Sequence, residues 1–185
     1  MLREAPFQWW ITGGWALDLF LGKQTRTHLD TDVAIARHDQ MVAQHYLDDW
    51  DFYSTKRDGK GDIVLRQWET DEILGQEYPG VWARESGKEI WRFELLFHEI
   101  SDQTWTFRYD DSVTHSLAEI GGMSPDSIPY LLPEVTLLHK AARLRRVDEQ
   151  DFQRVLPMLN HTQRAQLWAD LQIFEPEHPW LIALA

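Results

Sequence analysis

The residues Ile11-Thr12-Gly13-Gly14-Trp15-Ala16-Leu17-Asp18, followed by Thr25-Arg26-Thr27-His28-Leu29-Asp30-Thr31-Asp32-Val33, form the most informative part of this 185-residue chain. The apolar run from Trp9 to Thr12 predicts a strand, and Trp15 to Leu21 predicts a helix that ends at Gly22. Two glycines at the turn between them leave room for backbone N–H groups to approach phosphate oxygens, and the helix N-terminus adds to that attraction. Alone, a Gly-Gly pair is a weak indication, since most such pairs are only tight turns.

Two aspartates follow this turn, at Asp30 and Asp32. Residues two apart on a strand point to the same side, so the two carboxylates are expected to face one point in space. Two negative groups held together are costly unless a cation lies between them. Mg²⁺ binds a few carboxylates and keeps sites for water and phosphate oxygens, so the pair predicts a Mg²⁺ site. The alternative is an exposed Asp-x-Asp in a surface turn.

Glu94 is the candidate for a third carboxylate. It alternates with the apolar Phe93 and Leu95 in a predicted strand, and an unpaired acid there should not point into a core. Glu94 is therefore expected to complete the metal site or to accept the proton of an attacking hydroxyl. The alternative is an ion pair with Arg92 or another neighbour.

Composition narrows the class of protein. There are no cysteines, which excludes disulfides and thiolate metal sites. The net charge of -12 speaks against a nucleic-acid acceptor and mildly favours a cationic small molecule, although acidity can also serve solubility alone. Nothing at the start resembles a signal peptide and no apolar run is long enough to span a bilayer, so a cytoplasmic location is expected.

The character of the sequence changes near Pro133. Before it, alternation and turn residues predict strands at 32–36, 51–55, 63–65, 81–84, 90–98 and 104–109, a helix at 38–50, a turn at Asp58-Gly59 and a loop at 69–80. After it the pattern is helical, with Pro133 in the first turn of one helix and Asp148 as the N-cap of the next. We therefore predict an α+β fold, with a catalytic domain at 1–130 and a helical subdomain at 131–185.

Several charged residues are expected to have other roles. Asp18 is interpreted as structural, holding the loop before Asp30. Arg143 and Arg145 are interpreted as solvated helix positions, and Arg108 as a residue that could pair with an active-site carboxylate. An acidic and aromatic stretch would suit a cationic acceptor, the alternative being an exposed loop with a few anchoring aromatics; its members are Trp68, Glu69, Asp71, Glu72, Glu77, Tyr78 and Trp82.

The pattern Gly13-Gly14-Trp15-Ala16-Leu17-Asp18 with Gly22, then Thr25-Arg26-x-His28-x-Asp30-x-Asp32, resembles the signature of antibiotic nucleotidyltransferases. These are the aminoglycoside and lincosamide adenylyltransferases of the polymerase-β-like nucleotidyltransferase superfamily. The likeness is dense over residues 10–35. Further along, Arg92-Phe93-Glu94-Leu95 is similar to the strand with the third carboxylate. The run Pro133-Glu134-Val135-x-Leu137-Leu138-x-Lys140-Ala141, with Asp148-x-x-Asp151-Phe152, is similar to the helical portion. The sequence departs from the pattern at Gly14, where many superfamily members have a serine.

The resemblance implies a mixed β-sheet flanked by helices, followed by a small C-terminal helical portion. It implies that the glycine turn cradles a triphosphate, with Glu94 as the third metal ligand or the general base. Asp30 and Asp32 would bind one or two Mg²⁺ ions. The implied glycine positions are Gly13 and Gly14, and the implied triphosphate contacts are Arg26, His28 and Lys140.

The activity implied is Mg²⁺-dependent transfer of a nucleoside monophosphate to a hydroxyl of a small acceptor. The nucleotide would be ATP or another nucleoside triphosphate, and the acceptor an aminoglycoside- or lincosamide-like antibiotic or another hydroxylated molecule. Two alternatives stay open: an enzyme of the same fold that modifies a protein or RNA, as toxin- and antitoxin-type members do, and a non-catalytic nucleotide-binding module.

Overall fold

A computed structural model describes residues 1–57 and 63–185 of the chain, and the turn expected at Asp58-Gly59 lies outside these residues. The helices of the described part are α1 (Gly13–Leu21), α2 (Gln40–Tyr46), α3 (Pro133–Ala141), α4 (Arg146–Val155), α5 (His161–Phe174) and α6 (Trp180–Leu184). The strands are β1 (Trp9–Ile11), β2 (Asp32–Ala36), β3 (Trp50–Arg57), β4 (Ile63–Gln67), β5 (Gly80–Glu85), β6 (Phe93–Ser101), β7 (Thr104–Thr106), β8 (Thr114–Ser116), β9 (Gly121–Met123) and β10 (Pro129–Leu131). Short 3-10 turns occupy Leu2–Glu4, Arg37–Asp39, Leu117–Glu119 and Leu156–Met158.

The strands form one mixed sheet in the order β4-β3-β5-β6-β2-β1-β10-β9, to which β7 is added beside β6 and β8 beside β7. Two strand pairs are parallel, β2 with β6 and β1 with β10, and the other pairs are antiparallel. With helices packed on this sheet, the predicted α+β architecture is confirmed.

Central strand β2 separates two hydrophobic cores. Val33 and Ile35 point into one core, with Phe52, Val81 and other residues of β3 to β6, whereas Ala34 points into the other. Because side chains alternate along a strand, an apolar residue at every one of these positions fills both sides of the sheet. β2 is thereby held rigidly, and the residue that begins it is Asp32.

The second core lies between the sheet and the C-terminal helices. Trp10 of β1 and Leu17 of α1 belong to it together with Leu137 and Phe152. Phe152 stacks on Trp180 at a centroid distance of 4.2 Å, which docks α6 onto α4. The helices after Pro133 therefore share a core with β1 and α1, while the domain boundary near residue 130 stays a prediction.

The structure corrects several expectations about the elements. The strand predicted at 90–98 begins at Phe93 and continues to Ser101, and the strand predicted at 104–109 ends at Thr106. The helix predicted at 38–50 ends at Tyr46, because Trp50 already pairs with Glu85 in the sheet and packs on Phe93 at 4.8 Å. Asp148 is not an N-cap: α4 begins at Arg146, and Asp148 accepts a hydrogen bond from the Arg145 N–H at 3.1 Å. The strands β8, β9 and β10 were not predicted, because three residues are too few for alternation to show.

Within residues 1–57 and 63–185, no helix combines the length and the apolar character needed to cross a bilayer.

Candidate active site

A cavity of about 640 Å³ opens beside the start of β2, between the sheet face of β6 and helix α3. All eight residues predicted for the site lie in its wall: Gly13, Gly14, Arg26, His28, Asp30, Asp32, Glu94 and Lys140. They come from four separate parts of the chain, so the fold brings them together. This volume is typical of small-molecule sites, which range from about 300 to 1,000 Å³.

The glycine turn is shaped by the side chains that pack against it. Gly13 has a positive φ of +63°, and a Cβ there would clash with Oδ2 of Asp32. A Cβ at Gly14 would clash with Arg26 Nη2 and His28 Nδ1. The space that a serine side chain would take at position 14 is therefore filled by Arg26 and His28, which gives the departure from the superfamily pattern a physical reason.

Asp32 and Glu94 face each other across neighbouring strands, because β2 and β6 pair in parallel with Asp32 opposite Glu94. Burial, reinforced by the charge of Asp30, raises the pKa of Asp32 to about 6. Burial and the charge of Asp32 raise the pKa of Glu94 to about 7. Two adjacent carboxylates removed from water resist ionisation together unless a cation joins them.

The carboxylates of the cavity offer only oxygen donors to a divalent ion. In the described ranges, no three His, Cys, Asp or Glu side chains stand close enough together to form a complete metal-binding group. The pair of Asp32 and Glu94 still fits a cation, because both carboxyls are largely buried, the charge of Asp32 raises the pKa of Glu94, and both face the cavity. Asp30 is exposed, and its charge raises the pKa of Asp32 and of Glu94. It therefore lies close enough to interact with a cation held by these two carboxylates. Oxygen donors of this kind suit Mg²⁺.

Asp18 organises the loop that leads to the aspartates. Its buried carboxylate accepts hydrogen bonds from the Thr25 N–H at 3.1 Å and the Thr25 hydroxyl at 2.6 Å, and it lies 2.5 Å from His28 Nε2. His28 also packs on the Trp15 ring at 4.4 Å and has a side chain only 3% exposed. The structural role expected for Asp18 agrees with these contacts. For His28, they indicate a part in positioning the loop, and its predicted phosphate contact stays a prediction.

The cations predicted to contact phosphate are joined by acids from α4. Asp151 accepts from Arg26 Nε at 3.0 Å and lies 2.9 Å from Lys140 Nζ, so one carboxylate joins both. Asp148 lies 3.1 Å from Lys140 Nζ and 2.8 Å from Arg145 Nε. Burial alone would raise the pKa values of Asp148 and Asp151. The hydrogen bonds and positive charges of Lys140 and the neighbouring arginines outweigh burial, so the pKa of each aspartate is lowered. This network fixes Arg26 and Lys140 at the cavity wall.

Arg143 and Arg145 were predicted to be solvated helix positions outside the site. Both line the cavity, and the charge of Arg143 lowers the pKa of Asp32 and of Glu94. Arg143 lies three residues after Lys140 and seven after Thr136, which also lines the cavity. Thr136 and Lys140 lie on one face of α3, whereas Arg143 follows the end of that helix at Ala141, so helical spacing alone does not indicate its position.

The acidic and aromatic stretch of residues 68–82 is mostly remote from the cavity. Only Trp82 of its seven members lines it. Trp68 is buried in the core beside Phe52 and Phe97, and Glu72 pairs with Arg66 at 2.7 Å. The contacts favour the alternative interpretation, a loop with anchoring aromatics.

The glycine turn packed on Asp32, with Glu94 held opposite it, agrees with the arrangement expected for a nucleotidyltransferase, and the family match shows that the protein belongs to this class. The sequence model of one family in this class, described as aminoglycoside-2''-adenylyltransferase, matches residues 1–154, and the chain belongs to that family.

Two solved structures are similar to this one. The solution structure of the antibiotic-resistance factor ANT(2'')-Ia matches with a TM-score of 0.53 and 14% identity over 92% of this chain and 85% of that chain. The crystal structure of the lincosamide antibiotic adenylyltransferase LnuA with bound lincomycin matches with a TM-score of 0.47 and 20% identity over 82% of this chain and 87% of that chain. At its identity, the ANT(2'')-Ia match shows a shared fold. A search of the curated proteins found no match.

Proposed function

We propose that the protein transfers AMP from ATP to a hydroxyl group of a small acceptor, with Mg²⁺ bound between Asp32 and Glu94. The observation that carries the proposal is the register of β2 and β6, which sets these two carboxylates side by side in a cavity next to the glycine turn. When bound, the ion would neutralise charge on the triphosphate and on the departing pyrophosphate. Nucleotidyl transfer needs this neutralisation and alignment more than covalent help from the protein.

The residues of the chain would divide the remaining tasks. Gly13 and Gly14 let the backbone of the turn approach the phosphates, and Asp30 adds a third carboxylate near the ion. Arg26 and Lys140, fixed by Asp151, offset negative charge at the cavity wall.

Proton transfer is assigned to Glu94. The acceptor oxygen forms a bond to the α-phosphorus, the bond from that phosphorus to the bridging oxygen breaks, and pyrophosphate leaves. The hydroxyl proton passes to the Glu94 carboxylate, which faces the cavity beside Asp32. The proposal includes a Mg²⁺-ligand role for the same side chain.

The acceptor class follows from the size of the cavity and from the family. A cavity of about 640 Å³ suits a small molecule better than a protein or RNA surface. The family is described as aminoglycoside-2''-adenylyltransferase, and the similar structure ANT(2'')-Ia is that of an antibiotic-resistance factor. Aminoglycosides are therefore the first acceptors to test, followed by the lincosamides that the sequence resemblance also implies.

The test is a screen of acceptors against nucleotides. The protein is incubated with Mg²⁺, each of the four nucleoside triphosphates and a panel of aminoglycosides, lincosamides and uncharged polyols, and products are read by mass spectrometry. We expect one acceptor class to gain the mass of a nucleoside monophosphate, with ATP as the best donor. Label found on protein or RNA of a cell extract, with none on any small molecule, would contradict the proposed acceptor.

A further inference from the structure

The part of the cavity beyond Glu94 contains a cluster of nitrogen-bearing side chains, His98, Arg108 and His139. Glu94 and His98 lie four residues apart on β6 and so on the same face, at about 13 Å along the strand. His139 is the neighbour of Lys140 on α3, and Arg108 lies in the turn between β7 and β8. The cluster is thus continuous with the proposed catalytic cavity but separate from its carboxylates.

His98 is a neutral imidazole with a defined tautomer. Its Nδ1 accepts a hydrogen bond from the Trp105 indole N–H at 2.8 Å. Burial, with the charges of Arg108 and Arg37 nearby, lowers the pKa of His98 to about 3. A neutral imidazole that accepts at Nδ1 has its proton on Nε2, so His98 has one N–H left to donate.

His139 is a second, half-buried imidazole next to it. The two rings lie 4.9 Å apart, and His139 also packs on Phe107 at 5.1 Å. Burial and the neighbouring His98 and Arg108 lower the pKa of His139 well below its ordinary value. Its Nε2 atom is buried and has no hydrogen-bond partner among the residues that the structure describes.

Arg108 is a cation without an acid beside it. In residues 1–57 and 63–185 it makes no salt bridge, and its buried Nε has no hydrogen-bond partner. The nearby carboxylate of Glu99 is engaged by Arg37 at 2.6 Å. Burial and the charges of Arg37 and Arg143 lower the pKa of Arg108, although the guanidinium stays charged.

These contacts distinguish Arg108 from the other cations of the cavity. Arg26 and Lys140 both form salt bridges with Asp151, whereas Arg108 forms none with the described carboxylates and has only the charge of Glu99 nearby, which Arg37 engages. A buried donor without a partner carries a desolvation cost, and a buried charge without a partner carries a larger one. A bound anion would accept a hydrogen bond from the unpartnered donor and would neutralise the charge of Arg108.

We propose that Arg108, His98 and His139 form an oxyanion subsite that binds a phosphate or carboxylate group of a substrate. Arg108 supplies the charge and charge-assisted hydrogen bonds, and His98 donates from Nε2. Neutral imidazoles suit this role because their presence does not add to the repulsion around Arg108. The proposal of an anion-binding subsite is supported by the contacts of these three residues, whereas the identification of the anion as part of a substrate rests on the proposed function.

Anion binding can be measured without turnover. The ¹⁵N-labelled full-length protein is titrated with inorganic phosphate, and separately with acetate, in the absence of Mg²⁺ and nucleotide, while the imidazole signals of His98 and His139 are followed. We expect at least one anion to shift both signals. In Arg108→Gln its Kd should rise about tenfold or more, as expected when hydrogen bonds to a charged group are lost.

The matched control is Arg92→Gln, which removes an exposed arginine whose partner Glu85 lies 3.6 Å away at the surface. It should bind the anion as the wild type does, and Arg108→Lys should bind with intermediate affinity. Far-UV circular dichroism checks that each variant is folded. Imidazole signals unmoved by both anions, or equal affinity in Arg108→Gln and the wild type, would overturn the subsite.

Steady-state kinetics separate the two possible sources of the anion. A rise in KM for ATP in Arg108→Gln assigns the subsite to a nucleotide phosphate. A rise in KM for the acceptor alone assigns it to an anionic group of the acceptor. Because the titration needs no transfer activity, failure of the proposed function and failure of the subsite give different results.

Discussion

Asp32 of β2 and Glu94 of β6 lie opposite each other in a parallel strand pair, and both side chains face the same cavity. The strands that hold them are buried on both sides, since Val33 and Leu95 follow them into one core and Ala34 occupies the other. The carboxylates therefore cannot separate without disturbing the centre of the sheet. This rigid juxtaposition of like charges connects the packing of the fold to its proposed chemistry.

Removal of one carboxylate should stabilise the metal-free protein. The pKa of Asp32 is raised from 3.8 to about 6 and that of Glu94 from 4.5 to about 7, so ionising the pair costs the fold up to about 3 kcal/mol per group. Because both folded-state values exceed the unfolded ones, stability falls as pH rises from about 4 to 7. At pH 8 without divalent ions, Glu94→Gln should therefore melt several degrees above the wild type in calorimetry.

Mg²⁺ provides the control for this prediction. It should raise the Tm of the wild type at pH 8 and have little effect on Glu94→Gln, because the cation offsets charge that the variant lacks. An equal Mg²⁺-induced shift in both proteins would show that the ion binds elsewhere.

Asp151→Asn should disturb both the fold and nucleotide binding. The change leaves buried Lys140 with one acid instead of two and weakens the hold on Arg26, and loss of one partner of a buried ion pair typically costs about 3–5 kcal/mol. We expect the free energy of unfolding in urea to fall by about 2–4 kcal/mol, since Asp148 still pairs with Lys140. KM for ATP should rise because two cavity cations lose their fixed positions.

Glu177→Gln is the matched control for this change, since Glu177 is exposed at the surface. It should leave both the unfolding curve and KM for ATP at their wild-type values. If Asp151→Asn behaved in the same way, the network would have no role in positioning Arg26 and Lys140.

Introduction of the superfamily serine at position 14 should harm this protein. The new side chain would overlap Arg26 and His28, and overpacking of this kind costs about 1–3 kcal/mol. Gly14→Ser should therefore lower stability in urea unfolding, and much less so in a His28→Ala background. Because the two residues are in contact, the double-mutant cycle should give a coupling of about 0.5–3 kcal/mol, and strict additivity would contradict the packing described.

His115 predicts a pH-dependent contribution from the C-terminal helices. Its Nε2 lies 2.8 Å from Asp170 of α5, and this hydrogen bond raises the pKa of His115 above 6.5. The stabilisation is thus fully present below pH 6.5 and is lost as pH rises through the folded-state value. Asp170→Asn should cost about 1 kcal/mol more at pH 5.5 than at pH 8.5 in urea unfolding, and an equal cost at both values would contradict the pairing.

The part of the site that local patterns could predict is the part built from neighbouring residues. The glycine pair and the Asp30-x-Asp32 spacing lie within one strand–helix–strand unit, and alternation in β6 placed Glu94 on the right face. The cluster of Arg108, His98 and His139 could not be predicted in this way, because its members lie on a turn, a strand and a helix that come together only in the folded chain. No spacing in the sequence indicates that Glu99 is engaged by Arg37 and leaves Arg108 without an acid.

The bounds of elements were predicted where packing agreed with local preference. β2 was predicted with its observed ends, because each residue from Val33 to Ala36 is buried. The sequence after Tyr46 predicts a continuing helix, but Trp50 instead belongs to the sheet, where it pairs with Glu85. Asp148 reads as a helix cap, whereas its contacts with Lys140 and Arg145 depend on α3 and α4 meeting. Tertiary contacts outweigh local signals at both places.

The most direct test of the account is pyrophosphate release from ATP with Mg²⁺ and the acceptor found in the screen, compared between the wild type, Asp32→Asn, Glu94→Gln and the control Arg92→Gln. We predict that the wild type and Arg92→Gln release pyrophosphate at the same rate, and that Asp32→Asn and Glu94→Gln lose at least about 100-fold while remaining folded. Undiminished release by folded Asp32→Asn would contradict the assignment of this carboxylate pair as the catalytic centre.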